Sequence, residues 1–155
     1  MIESKKVNYR LFDYSDRPFV SASDVAAYLN VSPDSLFKTL VVQGKREFYV
    51  FLIPASSDLD LKKAAKATGE KKISLVPSRE LYALTGYVHG GCSPIGMKRI
   101  FPTYVDVSAR DCRHIRFSGG KIGFSVEIAT EDLTKLIVFE YADVKREKGM
   151  EKSDD

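Results

Sequence analysis

Runs of apolar and polar positions divide the chain into short strands with helices set between them. Asn8 to Tyr14 alternates and predicts a first strand. Ser21 to Leu29 predicts a helix with Ser21 or Ser23 as its N-cap. Ser32-Pro33-Asp34 predicts a turn in which the missing proline N–H is harmless. Phe37 to Gln43 and Glu47 to Ile53 predict a hairpin across Gly44-Lys45. The second run is almost wholly apolar or aromatic, as in a central strand buried on both faces. Alternation in the first run puts Phe37, Thr39 and Val41 on one face and Lys38, Leu40 and Val42 on the other. Asp60 to Thr68 predicts a helix with Leu61, Ala64, Ala65 and Ala67 inward and Gly69 at its C-cap. Ile73 to Leu75 predicts a short strand, and Ser78 to Leu84 a helix ended by Gly86. Strand patterns recur at Thr103–Val107, His114–Phe117 and Ile122–Ile128, the last two joined by the turn signal Ser118-Gly119-Gly120-Lys121. Thr130 is expected to cap a last helix through Leu136, and Ile137–Phe139 to close the pattern. Clustered strands with inserted helices imply an α+β domain around one mixed β-sheet, with helices packed on it.

Composition narrows this picture without changing it. A chain of 155 residues is long enough for one domain with a sizeable core. An apolar fraction of 44% excludes a disordered protein. No repeat or linker divides the chain, so residues 1–145 are expected to form one domain. Residues 146–155 mix both charge signs and are expected to form a disordered tail. The net charge of +3 neither demands nor opposes a polyanionic partner. Lys62, Lys63, Lys66, Lys71 and Lys72 crowd one segment and read as a solvated helix face. Cys92 and Cys112 make no disulfide framework. No apolar run approaches the length of a membrane span, and no secretion-signal plan opens the chain. A reduced, cytoplasmic setting without membrane contact is the expectation.

One stretch stands apart. Thr85 to Arg99 holds four of the ten glycines and one proline in fifteen residues. Such a loop presents backbone N–H groups, which suit an anion, a carboxylate or a carbonyl oxygen. A tight turn between helix and strand would use the same residues. Lys38 is the other candidate, because it shares a strand face with apolar Leu40 and Val42. A lysine there needs a partner or a purpose, or must snorkel to water. His89, Cys92, Cys112 and His114 could suggest zinc, but Cys112-x-His114 is too tight for the usual ligand pair, and no metal or other cofactor is expected. Cys92 with His89 lacks a third orienting group for a nucleophilic site. Ser93 lacks the Gly-x-Ser-x-Gly elbow of a hydrolase. The residues alone define an α+β domain with a ligand loop.

Four blocks, in order, resemble the YbaK/EbsC family, the free-standing relatives of the editing domain of bacterial prolyl-tRNA synthetases. They are Phe37 to Val42, Leu59 to Ala67, Thr85 to Gly96 and Ser118 to Lys121. The resemblance runs from about Tyr14 to about Ala142. It is strongest to the YbaK branch of Cys-tRNA(Pro) deacylases, also through Lys98 to Thr103.

The resemblance implies an editing-domain fold and a trans-editing deacylase that removes a mischarged amino acid, most readily cysteine from Cys-tRNA(Pro). Compact side chains are poorly separated by binding alone, which makes a second, editing site necessary. It implies partners in the 3′ end of tRNA(Pro) and prolyl-tRNA synthetase. It also implies ester cleavage assisted by the substrate, with its own thiol attacking to give a thiolactone. Lys38 matches the family lysine expected near the terminal phosphate or ester. Gly90, Gly91 and Cys92 are expected to offer backbone donors to the oxyanion, which puts them with Lys38 in the catalytic set. Tyr14, Thr39, Ser93, Pro94 and Ser125 are expected at the substrate, and Lys98 and Arg99 at the tRNA. Ser125 departs from the branch, which tends to carry aspartate there. Cys92 replaces a commonly aliphatic residue. Both bear on which amino acid is removed, and Ser125 motivates an alternative: a non-catalytic tRNA- or synthetase-binding module of the same fold.

Overall fold

The computed structural model describes residues 6–17 and 21–147. In chain order the elements are β1 (Tyr9–Asp13), α1 (Ala22–Leu29), β2 (Phe37–Gln43), β3 (Phe48–Pro54), α2 (Leu61–Thr68), β4 (Ser74–Leu75), α3 (Ser78–Thr85), β5 (Thr103–Asp106), β6 (His114–Ser118), β7 (Phe124–Ala129) and β8 (Glu140–Ala142). Short 3-10 turns occupy Pro33–Ser35, Val107–Asp111 and Thr130–Lys135.

The nearly unbroken apolar run of β3 makes it the centre of a five-stranded mixed sheet, ordered β4-β2-β3-β5-β8. It pairs antiparallel with β2, Lys38 opposite Ile53, and parallel with β5, Phe51 opposite Tyr104. Its two faces feed two cores. Val50 and Leu52 join Phe37 and Val41 of β2 against Ile115, Phe117, Val126 and Ile128. Tyr49, Phe51 and Ile53 join Val42 and the α2 residues Ala64 and Ala65. Burial on both faces is what the run predicts.

The α+β class stands, but the strands sort into two sheets. β1, β7 and β6 form a separate antiparallel sheet of three, in that order. A single parallel bridge between Leu36 and Arg116 touches both. The inner faces of the two sheets enclose the larger core, and α2 covers the outer face of the larger sheet. No helix among the described residues is long and apolar enough to cross a membrane.

The helix caps follow local chemistry. Ser21 caps α1 by accepting from the Asp24 N–H, and Asp60 caps α2 by accepting from Lys62 and Lys63. Gly69 and Gly86 end α2 and α3. Four expectations need correction. Leu61 is 37% exposed, because the eight-residue helix needs only Ala64 and Ala65 to reach the sheet. Thr130 does not cap a helix: its hydroxyl donates to the Cys112 carbonyl, and the segment after it is 3-10. The last strand is Glu140–Ala142, not Ile137–Phe139. The charged tail is not loose from residue 146, since the Arg146 N–H donates to the Asp58 carbonyl at 2.8 Å and Lys63 pairs with Glu147 at 3.1 Å. The rest of that tail lies outside the described residues.

Candidate active site

The strand β2 leaves the 3-10 turn at Pro33–Ser35 with Leu36 and Phe37 buried, and so carries Lys38 and Thr39 to one end of the gap between the sheets. Across from them stands the turn Val88-His89-Gly90-Gly91, closed by the Gly91 N–H donating to the Val88 carbonyl at 3.0 Å. Gly90 has φ +84°, a conformation that glycine takes without strain, and His89 beside it lines the gap. Gly91 meets the Lys121–Ile122 backbone so closely that an added Cβ would lie 3.1 Å from the Ile122 nitrogen. The Tyr87 hydroxyl donates to the Ile95 carbonyl, and the Tyr87 ring packs on Gly120. The glycine loop and the turn between β6 and β7 are therefore locked together.

Between these parts lies a cavity of about 230 Å³. It brings together Tyr14, Lys38, Thr39, Gly90, Cys92 and Ser125 of the expected set. Gly91, Ser93 and Pro94 lie outside its wall. They are buried in the loop's return, where the Ser93 hydroxyl accepts from the Ile95 N–H at 3.2 Å. The Gly91 N–H is occupied in the turn, which leaves the N–H groups of Gly90 and Cys92 as the loop's candidate donors. Lys98 and Arg99 also lie outside the cavity, on exposed backbone. The Lys98 ammonium sits 5.3 Å from the Tyr82 ring centre and the Arg99 guanidinium 5.2 Å from that of Phe101. Cavity residues not singled out from sequence include Leu81, Phe117, Ser118 and Phe124. The signal for Ser118 was present, since it opens the Ser-Gly-Gly-Lys turn. Leu81 and the two phenylalanines read only as core.

Burial lowers the pKa of Lys38, and the Asp58 carboxylate partly opposes this. Burial pushes the Cys92 thiol up to about 11 against a weaker effect of the Thr85 hydroxyl, so it is a poor nucleophile at neutral pH. Tyr14 and Ser125 hydroxyls share a hydrogen bond of 2.5 Å. The Thr39 hydroxyl is buried and has no hydrogen-bond partner. Cys92 and Cys112 are free thiols, and no group of three or more metal-ligating side chains occurs among the described residues.

Two sheets, a glycine turn and a lysine-bearing strand end enclose a small cavity in this α+β domain. The sequence matches the aminoacyl-tRNA editing domain family over residues 16–136. It is 40% identical over 146 residues to EbsC of Enterococcus faecalis, a proposed Cys-tRNA(Pro)/Cys-tRNA(Cys) deacylase, covering 93% of this chain and 89% of EbsC. It is 24% identical over 104 residues to the proline–tRNA ligase of Kosmotoga olearia, covering 67% of this chain and 18% of the ligase. In fold it resembles a proposed trans-editing enzyme for prolyl-tRNA synthetase, with a TM-score of 0.82 at 24% identity, covering 94% and 92% of the two chains. The chain belongs to the aminoacyl-tRNA editing domain family, in its YbaK-like group.

Proposed function

We propose that this protein is a trans-editing deacylase that removes a mischarged amino acid from tRNA, with cysteine on tRNA(Pro) as its substrate. One observation carries the reading: the strand Phe37–Val42, the glycine loop and the Ser118–Lys121 turn, distant in sequence, meet around a single cavity. The likeness to EbsC supports it.

In this reading the aminoacyl ester enters the cavity and the tRNA 3′ end stays at its mouth. Lys38 meets the terminal phosphate or the ester region as a point charge. The N–H groups of Gly90 and Cys92 face the oxyanion that grows on the ester carbonyl. The substrate thiol attacks that carbonyl carbon: an S–C bond forms, the C–O bond to the ribose breaks, and the thiol proton passes to the ribose oxygen. The product is a thiolactone that water opens later. Water attacking the same carbon would give the amino acid directly. Either route relies on orientation of the reacting groups. Selection of tRNA(Pro) is assigned to prolyl-tRNA synthetase as partner.

The test is ester loss from Cys-, Ala- and Ser-tRNA(Pro) with purified protein. Rapid loss of the cysteinyl ester is expected, and Lys38→Ala should lower the rate about a hundredfold. Loss of a different aminoacyl group would keep the deacylase and move its specificity to Cys92 and Ser125. No loss from any of them would leave a binding module.

A further inference from the structure

The cavity has an electrostatic peculiarity for a site that receives an amino acid. Among the described residues, none of those lining it carries a carboxylate. Its polar groups are the ammonium of Lys38, the imidazole of His89, and the hydroxyls of Tyr14, Thr39, Ser118 and Ser125. Neither Asp13 nor Asp58 lines it. Asp13 accepts from the Ser15 N–H at 3.0 Å and from its hydroxyl at 2.7 Å, and Asp58 acts on Lys38 from outside the wall. Tyr14 and Ser125 are paired with each other.

An α-ammonium entering this space would face the Lys38 cation and find no carboxylate in the wall. An unpaired buried charge is unfavourable, and a like charge beside it shifts the group toward its neutral form. An uncharged nitrogen meets neither penalty. The carbonyl of an acylated amine would find donors in Lys38 or His89.

Resting on the deacylase reading, we infer that the site accepts aminoacyl esters whose α-nitrogen is uncharged, so that N-acylated aminoacyl-tRNA is a substrate alongside the free-amine form. The thiol and the ester, where the bonds change, are untouched by acylation of the nitrogen.

The experiment compares Cys-tRNA(Pro) with N-acetyl-Cys-tRNA(Pro), using the full chain and subtracting spontaneous hydrolysis. The expected kcat/KM for the acetylated substrate lies within about threefold of the free-amine value, or above it. A loss of about tenfold or more, one pKa unit's worth of discrimination, with the free amine still cleaved, would overturn the inference and leave the deacylase reading intact. Cleavage of neither would overturn both. A second measurement uses Ser125→Asp, which puts a carboxylate in the wall. It should shift the ratio of the two rates at least about tenfold toward the free amine. An unchanged ratio in the folded variant would remove the electrostatic basis, and if that variant does not fold, the wild-type comparison decides alone.

Discussion

Thr39 holds a hydroxyl where the free protein gives it nothing to bond. A buried unpartnered hydroxyl destabilises, and valine has nearly the same shape without it. Thr39→Val is expected to stabilise the protein by about 1 kcal/mol, seen as a rise of about 2–4 °C in Tm. In the proposed function Thr39 stands at the substrate, so the same change should lower kcat/KM on Cys-tRNA(Pro) about tenfold. Unchanged kinetics would mean the hydroxyl serves neither state. Cys92 gives the opposite expectation. Its thiol titrates near 11, so Cys92→Ala should keep kcat within about tenfold of wild type, and the native thiol should resist iodoacetamide at pH 7.5 while reacting faster as the pH climbs toward that value. Lys38 and the glycine loop stood out in the sequence, because an ammonium on an apolar face and a cluster of glycines both violate local pattern, whereas Thr39 came only with the family resemblance. Gly91, Ser93 and Pro94 lie behind the cavity wall, and a cluster of glycines does not tell which of its residues line a cavity and which brace the loop behind it.

Among the elements, buried carboxylates act as latches. Asp106, at the end of β5, is fully buried and accepts from the N–H groups of Ser108, Val144 and Lys145. Burial pushes its pKa up, but these bonds outweigh it and hold the carboxyl below the ordinary range. The folded value is depressed, so its stabilisation is present above the unfolded value near 3.9 and is lost as pH falls through the folded one. Asp106→Asn should destabilise by about 2 kcal/mol at pH 7 in urea unfolding, and the gap to wild type should narrow as pH drops below about 4. A gap that persists in acid would mean packing, not charge, is lost. Glu70 does the same for the β2–β3 hairpin: it accepts from the Tyr49 hydroxyl at 2.6 Å and from the backbone of Lys45 and Arg46, raising Tyr49 to about 12. These latches were not legible, since an aspartate that ends a strand looks like any other turn residue. Most strands were, through period-two alternation or an unbroken apolar run, but the last was not, since it lies at Glu140–Ala142 and not at Ile137–Phe139. Thr130–Lys135 failed as a helix for a nonlocal reason, the claim of Cys112 on the Thr130 hydroxyl.

At the scale of the molecule, a modest positive charge of +3 means that tRNA binding under the proposed function would rest on a few contacts. Lys98 and Arg99 are exposed beside the loop and outside the cavity. Lys98→Glu with Arg99→Glu should weaken binding of uncharged tRNA and reduce the slope of log K against log salt by about 1 per lost phosphate contact. Filter binding between 50 and 200 mM salt, as an order-of-magnitude range, measures this. An unchanged slope would place the tRNA on another face. The split into two sheets could not be read from strand patterns, since pairing partners lie far apart along the chain, β1 with β7 for example.

The cavity opens along the seam between those sheets. Lys38 and Thr39 belong to the large sheet, whereas Ser125 belongs to the small one and Tyr14 follows its first strand. One wall thus carries the charge and the other the hydroxyl pair, on separate hydrogen-bonded frameworks. Substitutions on the second wall leave the strand pairing of the first intact. Such an arrangement lets the shape of one wall vary while the other keeps its own framework.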